Sequence, residues 1–214
     1  RPGWDSTNFG PYFVAGAFQA GTACVIIGMF VFSRAYNLQK YITELHFNHM
    51  GKLLVFLCVV YAYFNINEYL IPAYKMRSAE ATHLNDLFTG STAPIYWSVQ
   101  IFGMALPAVL LLFNKMRKPA PLTIIAFLVI IGAWFKRYLI VTPIMLHPYL
   151  PIQNVPAGWA SYFPSWVEIS IVAASVAGVL LIITIFSKLF PMISIWETME
   201  GEGIDLEEMD NEKI

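Results

Sequence analysis

Hydrophobic and polar positions are not mixed evenly along this chain. Five long apolar stretches alternate with short polar connectors. They fall at about 10–33, 50–73, 94–114, 120–143 and 164–187. Each approaches the roughly 20 apolar residues that a helix needs to cross a hydrocarbon core. Backbone that faces lipid must satisfy its own hydrogen bonds, so the stretches are predicted to be helices. The expected fold is all-α, an integral membrane helical bundle over residues 1–196, followed by an acidic cytoplasmic tail, 197–214. Small residues four apart, Gly16/Ala20 and Ala17/Gly21 in the first stretch and Ala173/Ala177 and Ala174/Gly178 in the fifth, point to close helix packing. Pro107 removes a backbone donor and should kink the third helix. The connector 35–50 is expected to hold a short interfacial helix. The connector 145–166 carries Trp159, Tyr162 and Trp166, residues suited to the headgroup belt.

Composition strengthens this reading. Of 214 residues, 57% are hydrophobic and 13% charged, about half the usual charged share of a soluble domain. The net charge of −1 hides a split, because the tail "ETMEGEGIDLEEMDNEKI" holds eight of the fourteen acids. Basic residues set the orientation. Arg34 and Lys40 lie between the first two spans with Lys52 at the adjoining start of the second, Lys115, Arg117 and Lys118 between the third and fourth, and Lys188 after the fifth. The N-terminus is therefore expected outside and the C-terminus in the cytoplasm. Cys24 and Cys58 sit singly in apolar runs. With no Cys-rich motif, this chain is not expected to hold an iron–sulfur cluster or c-type haem. No nucleic-acid partner is expected.

The polar residues inside the spans raise the functional question. Glu68 lies 18 residues from Met50 and Arg137 18 residues from Pro119. Both are about 27 Å from the cytoplasmic ends of their helices, at a rise of 1.5 Å per residue. Glu168 lies four residues into the last span from the opposite side. Glu68, Lys136, Arg137 and Glu168 thus share one layer near the outer boundary, bordered by Asn65, Asn67 and Gln100. Ionisable groups inside a membrane face the bundle interior and find partners. Glu68 with Arg137 is the expected pair, because guanidinium grips a carboxylate with two bonds. Lys136 is left to snorkel outward or to meet Glu168. The layer has two readings: ions that fix helix register, or groups that carry protons near a redox site. His46 and His49 lie near the cytoplasmic end. As a metal site they lack a third ligand.

Seven stretches in order carry a family resemblance: "PGWDSTNFGPYFVAGAF" (2–18), "HFNHMGK" (46–52), "NEYLIPAY" (67–74), "YWSVQIFGMALP" (96–107), "WFKRYLIV" (134–141), "YFPSWVE" (162–168) and "KLFPMISIWE" (188–197). Together they resemble the C-terminal half of the NrfD/PsrC family, membrane subunits of polysulfide reductases, quinone reductase complexes and alternative complex III. The resemblance implies a subunit of eight to ten helices, of which this chain supplies about five, with a missing N-terminal half. It implies no cofactor bound by this chain, and menaquinone or another quinone as substrate. The implied partners are membrane lipid, other membrane subunits, and an extrinsic ferredoxin-like iron–sulfur subunit leading to molybdopterin or haem centres. Coupling to proton translocation is a further implication. His46, Met50, Lys52, Glu68, Trp97, Pro107, Arg137 and Glu168 fall on family-typical positions. Lys136, Ile130 and Gly103 depart from the pattern of the alternative complex III subunit, so its proton route does not transfer directly. The quinone and proton-handling candidates are Glu68, Arg137, Glu168, Lys136, Asn65, Asn67 and His46. Two other classes compete: a transporter or channel built on the polar layer, and a structural anchor for redox subunits.

Overall fold

In the computed structural model, residues 4–75, 77–146 and 162–190 are described. They are helical, with no strand among them. Five helical segments are long and apolar enough to cross a membrane, close to the stretches read from hydropathy. The first is α1, Phe9–Ala35. A 3₁₀ turn, Leu38–Lys40, follows, entered through Asn37 in the left-handed region at φ 54°. α2 spans Glu44–Lys75 and α3 spans Ser78–Phe88. The third membrane segment is composite: α4, Ala93–Ser98, a π-helical stretch, Val99–Ala105, and α5, Leu106–Leu110. A 3₁₀ turn at Asn114–Arg117 leads into α6, Pro119–Leu146. The last is α7, Trp166–Leu189.

Two compact units result, one within residues 1–162 and one within 163–214. In the first, α1 packs along α2 and α6, the π-helical stretch lies on α6, and α3 rests on α2 and α4. Its core has two parts. One is wholly apolar and includes Ala23, Ile26, Phe47, Leu54, Leu122, Ile125, Ala126 and Val129. The other, Leu87, Tyr96, Val99 and Leu139 with Tyr69 and Phe88 packed against it, lies at the end where α3 sits. In the second unit α7 is apolar on nearly every exposed position, as a lipid-facing helix is.

Several sequence expectations change in detail. No interfacial helix fills 35–50. Only the Leu38–Lys40 turn forms there, and from Glu44 onward the chain already belongs to α2. At about 48 Å, α2 is longer than the hydrocarbon core is thick, so its two ends reach past it. The connector after α2 contains a whole helix, α3. The kink expected at Pro107 appears as a π-helical stretch just before it. Proline has no N–H to return to the carbonyl four residues back, here Gly103. The preceding turns widen instead, with the Leu106 N–H reaching back five residues to the Ile101 carbonyl.

The closest helix approach is also not where the small-residue pairs predicted it. Gly21 and Gly178 face open space, and Gly16 makes room for the Tyr61 ring. Backbone meets backbone at Gly103 and Gly132 instead. A Cβ built on Gly132 would lie 2.3 Å from the Gly103 Cα. Trp159 and the acidic tail 197–214 lie outside the described residues.

Candidate functional site

The polar layer forms around a lysine. Lys136 projects from α6 into the bundle and is only 4% exposed. Its ammonium lies over three tyrosine rings: Tyr69 at 4.5 Å, Tyr96 at 5.7 Å and Tyr12 at 5.9 Å from the ring centroids. It also donates a hydrogen bond to the Tyr69 hydroxyl. α1, α2 and α4 each contribute one ring, because each places a tyrosine near the same end of the bundle. Ring faces attract a cation within about 6 Å, with up to roughly 2 kcal/mol when water is excluded. No carboxylate lies within 4.0 Å of this ammonium among the described residues. Glu68 directly precedes Tyr69 on α2 and so stands at nearly the same depth.

Glu68 is half-buried on α2 and accepts a hydrogen bond from the Ser6 hydroxyl at 3.1 Å. Ser6 belongs to a strap, residues 4–8, laid over this end of the bundle. The Trp4 indole N–H donates to the Ile140 carbonyl at 3.1 Å, and the Asn8 amide donates to the Phe64 carbonyl at 2.9 Å. Asp5 and Arg77 form an exposed ion pair at 3.9 Å, which contributes little by itself.

A buried hydrogen-bond chain runs beside the cage. The Tyr61 hydroxyl donates to Tyr12 at 3.0 Å, and Tyr12 donates to the Asn65 carbonyl oxygen at 3.3 Å. The Asn65 amide donates to the Gln100 oxygen at 2.9 Å. The Tyr12 and Tyr61 rings stack at 5.1 Å. Gln100 stands in the π-helical stretch.

The seven candidates therefore separate. Glu68, Lys136 and Asn65 share this end of the bundle. The expected Glu68–Arg137 pair does not form: no ion pair joins them among the described residues. Arg137 is exposed, one residue round the helix from Lys136, with its guanidinium over the Phe13 ring at 5.7 Å. Consecutive residues point about 100° apart on an α-helix, so only one of the two bases can face the interior, and the lysine does. Asn67 turns away and bonds its own helix at the Tyr63 carbonyl. His46 lies about 33 Å from Glu68 along α2, where its Nδ1 meets the Thr43 backbone and hydroxyl at the helix start. In the second unit, Glu168 completes a capping box. Its carboxylate accepts from the Ser165 N–H at 2.6 Å and hydroxyl at 2.9 Å, and its own N–H donates to Ser165. The serine three residues before this glutamate is the sequence mark of such a cap.

Sequence reasoning missed the tyrosines and Ser6. The depth estimate that located Glu68 also puts Tyr69 beside it, and puts Tyr12 and Tyr96 three residues from the starts of their helices. That signal was available. No group of three metal-ligating side chains occurs among the described residues.

Comparison with known families now decides the wider assignment. The profile of the family described as polysulphide reductase, NrfD, matches residues 1–148, more than two-thirds of the chain. The chain belongs to the NrfD family. No curated protein matches it at a significant level. The NrfD match contains the cage, the strap and the hydrogen-bond chain, whereas α7 lies beyond it. NrfD membership implies a membrane subunit of quinone-linked redox complexes that works with partner redox subunits. With five apolar helices, this NrfD protein is a multi-pass membrane protein.

Proposed function

We propose that this chain passes electrons between the membrane quinone pool, menaquinone being one suitable quinone, and an extrinsic subunit carrying iron–sulfur, haem or molybdopterin centres. In this reading Lys136 and Glu68 handle the accompanying protons. The end carrying Ser6 and Glu68 faces outward in a bacterial cytoplasmic membrane, since the basic loops gather at the other end.

The observation that carries this reading is the Lys136 ammonium buried among three tyrosines. Charge inside a membrane bundle is costly, and by default marks a functional site. Family membership supplies the quinone chemistry. A quinol that gives up two electrons also gives up two protons, so the electrons leave through the partner and bases must take the protons. Glu68 stands next to Tyr69 on α2, and Ser6 holds its carboxylate by a hydrogen bond. A proton on Glu68 removes negative charge from the end of the bundle that holds Lys136, so the charge of each group affects the proton affinity of the other. Tyr69 fixes the lysine by direct hydrogen bonding. Arg137 and Glu168 take positioning roles, Arg137 at the flank of the cage and Glu168 at the head of α7. A carboxylate at the same end of the bundle, held by the Ser6 hydroxyl, gives the buried cation an ionisable neighbour.

The test is quinol-driven turnover of the assembled membrane complex. Lys136→Met keeps the side-chain length and removes the charge. Turnover is expected to fall on the order of 100-fold, the usual scale of a lost acid–base group, with assembly intact. Lys136→Arg, which keeps the charge, is expected to fall between. Wild-type turnover in Lys136→Met would refute the reading.

A further inference from the structure

Beside the cage, α1, α2 and α6 surround a pocket of about 30 Å³. Tyr12, Gly16, Gln19, Tyr61, Lys136 and Arg137 line it. It exists because position 16 has no side chain: a Cβ there would lie 2.9 Å from the Tyr61 ring. A cavity needs roughly 10–15 Å³ of such volume per water, and a buried water needs two to four polar partners. This pocket therefore suits about two waters and is too small for a quinone ring. The lining residues carry two phenol hydroxyls, an amide, a guanidinium and an ammonium in a wall that is otherwise mostly apolar.

The polar groups are graded along the bundle. At one end stand Ser6 and Glu68, then Lys136 with Tyr12 and Tyr61, then the pocket. Gln19 is the last, 3% exposed, and its amide donates to the Cys58 sulfur at 3.2 Å. A thiol is a weak acceptor, so Gln19 has capacity to spare. Beyond Cys58 the interior is the apolar cluster of Ala23, Ile26, Leu54, Leu122 and Val129.

We propose that this pocket is a water site, and that its water joins Tyr12 and Tyr61 in a polar spur that stops at Gln19 and Cys58. The apolar cluster beyond Cys58 closes the interior to water on that side. The use of the spur for protons rests on the function proposed above, but the hydration itself does not.

Hydroxyl-radical footprinting of the intact complex in membranes tests this, because radicals formed from bound water label adjacent side chains. Tyr12 and Tyr96 make a matched pair: both are buried, at 1% and 5% exposure, and only Tyr12 lines the pocket. Tyr12 is expected to be labelled at least about fivefold faster than Tyr96, on the two-water occupancy above. Ala133→Leu, which fills the pocket, should remove most of that difference. Gln19→Leu, similar in size and apolar, should do the same, and serves if the filled variant does not accumulate. Equal labelling of Tyr12 and Tyr96, or a difference that survives these substitutions, overturns the proposal. Turnover is not read here, so labelled Tyr12 with an active Lys136→Met variant would leave the water site standing and refute only the catalytic reading.

Discussion

Replacing Gly132 by alanine probes a backbone-to-backbone contact between α6 and the π-helical stretch. The new Cβ would sit 2.3 Å from the Gly103 Cα, whereas ordinary contacts begin near 3.4 Å, so α6 and the π-helical stretch must part by about 1.1 Å. Both sides of the contact are backbone, and no flexible side chain can swing away. Overpacking of this kind costs about 1–3 kcal/mol, and a rigid contact belongs in the upper part of that range. About 2–3 kcal/mol lowers the folding equilibrium on the order of 100-fold. Lys136 lies one turn further along the same face of α6, so the displacement also shifts the ammonium against Tyr69. Denaturant unfolding of the detergent-purified protein, followed by circular dichroism, should show a clearly lowered midpoint, and the assembled complex should turn over more slowly. Gly21→Ala is the control. No atom lies within 4 Å of a Cβ there, and alanine in a helix gains up to about 1 kcal/mol over glycine, so its midpoint should hold or rise. Equal midpoints for Gly132→Ala and wild type would refute the reasoning.

Two further substitutions test the polar interior and the cap. Asn65→Leu leaves the Tyr12 hydroxyl without its acceptor and the Gln100 oxygen without its donor. A midpoint loss of about 1–3 kcal/mol is expected, since buried polar groups are costly when unpaired; an unchanged midpoint would show that the chain of bonds contributes nothing. Ser165→Ala removes the cap of α7 and should cost about 1 kcal/mol locally, seen as faster amide exchange in the first turn of that helix. Exchange at the wild-type rate would mean the capping box does not hold the helix start.

Much of the architecture was legible because lipid simplifies the problem. Each of the five spans follows from apolar length alone, and their observed limits differ from the hydropathy reading by a few residues. α3 escaped that reading because it is short and amphipathic, so its signal is faint among connectors. Gly103 and Gly132 escaped because they lie on different helices, and their meeting depends on how the segments cross. In the candidate site, helical rise placed Glu68, Lys136 and Arg137 at one depth. It did not resolve which of two adjacent bases turns inward, since that depends on the rotation of α6. Chemistry favoured arginine for pairing with a carboxylate, yet the interior offers tyrosine faces rather than a carboxylate within reach, and the lysine occupies them. Glu168 shared the layer by depth, but a serine three residues earlier gave it a local partner in the cap.

Infrared difference spectroscopy of the membrane complex during quinone reduction and quinol oxidation tests the central claim most directly, by watching the carboxyl of Glu68 change its protonation. The account predicts a protonated-carboxyl band that appears or vanishes with the redox state, is absent in Glu68→Gln and is displaced in Lys136→Arg. A redox difference spectrum in which Glu68→Gln and wild type have the same carboxyl region would contradict it.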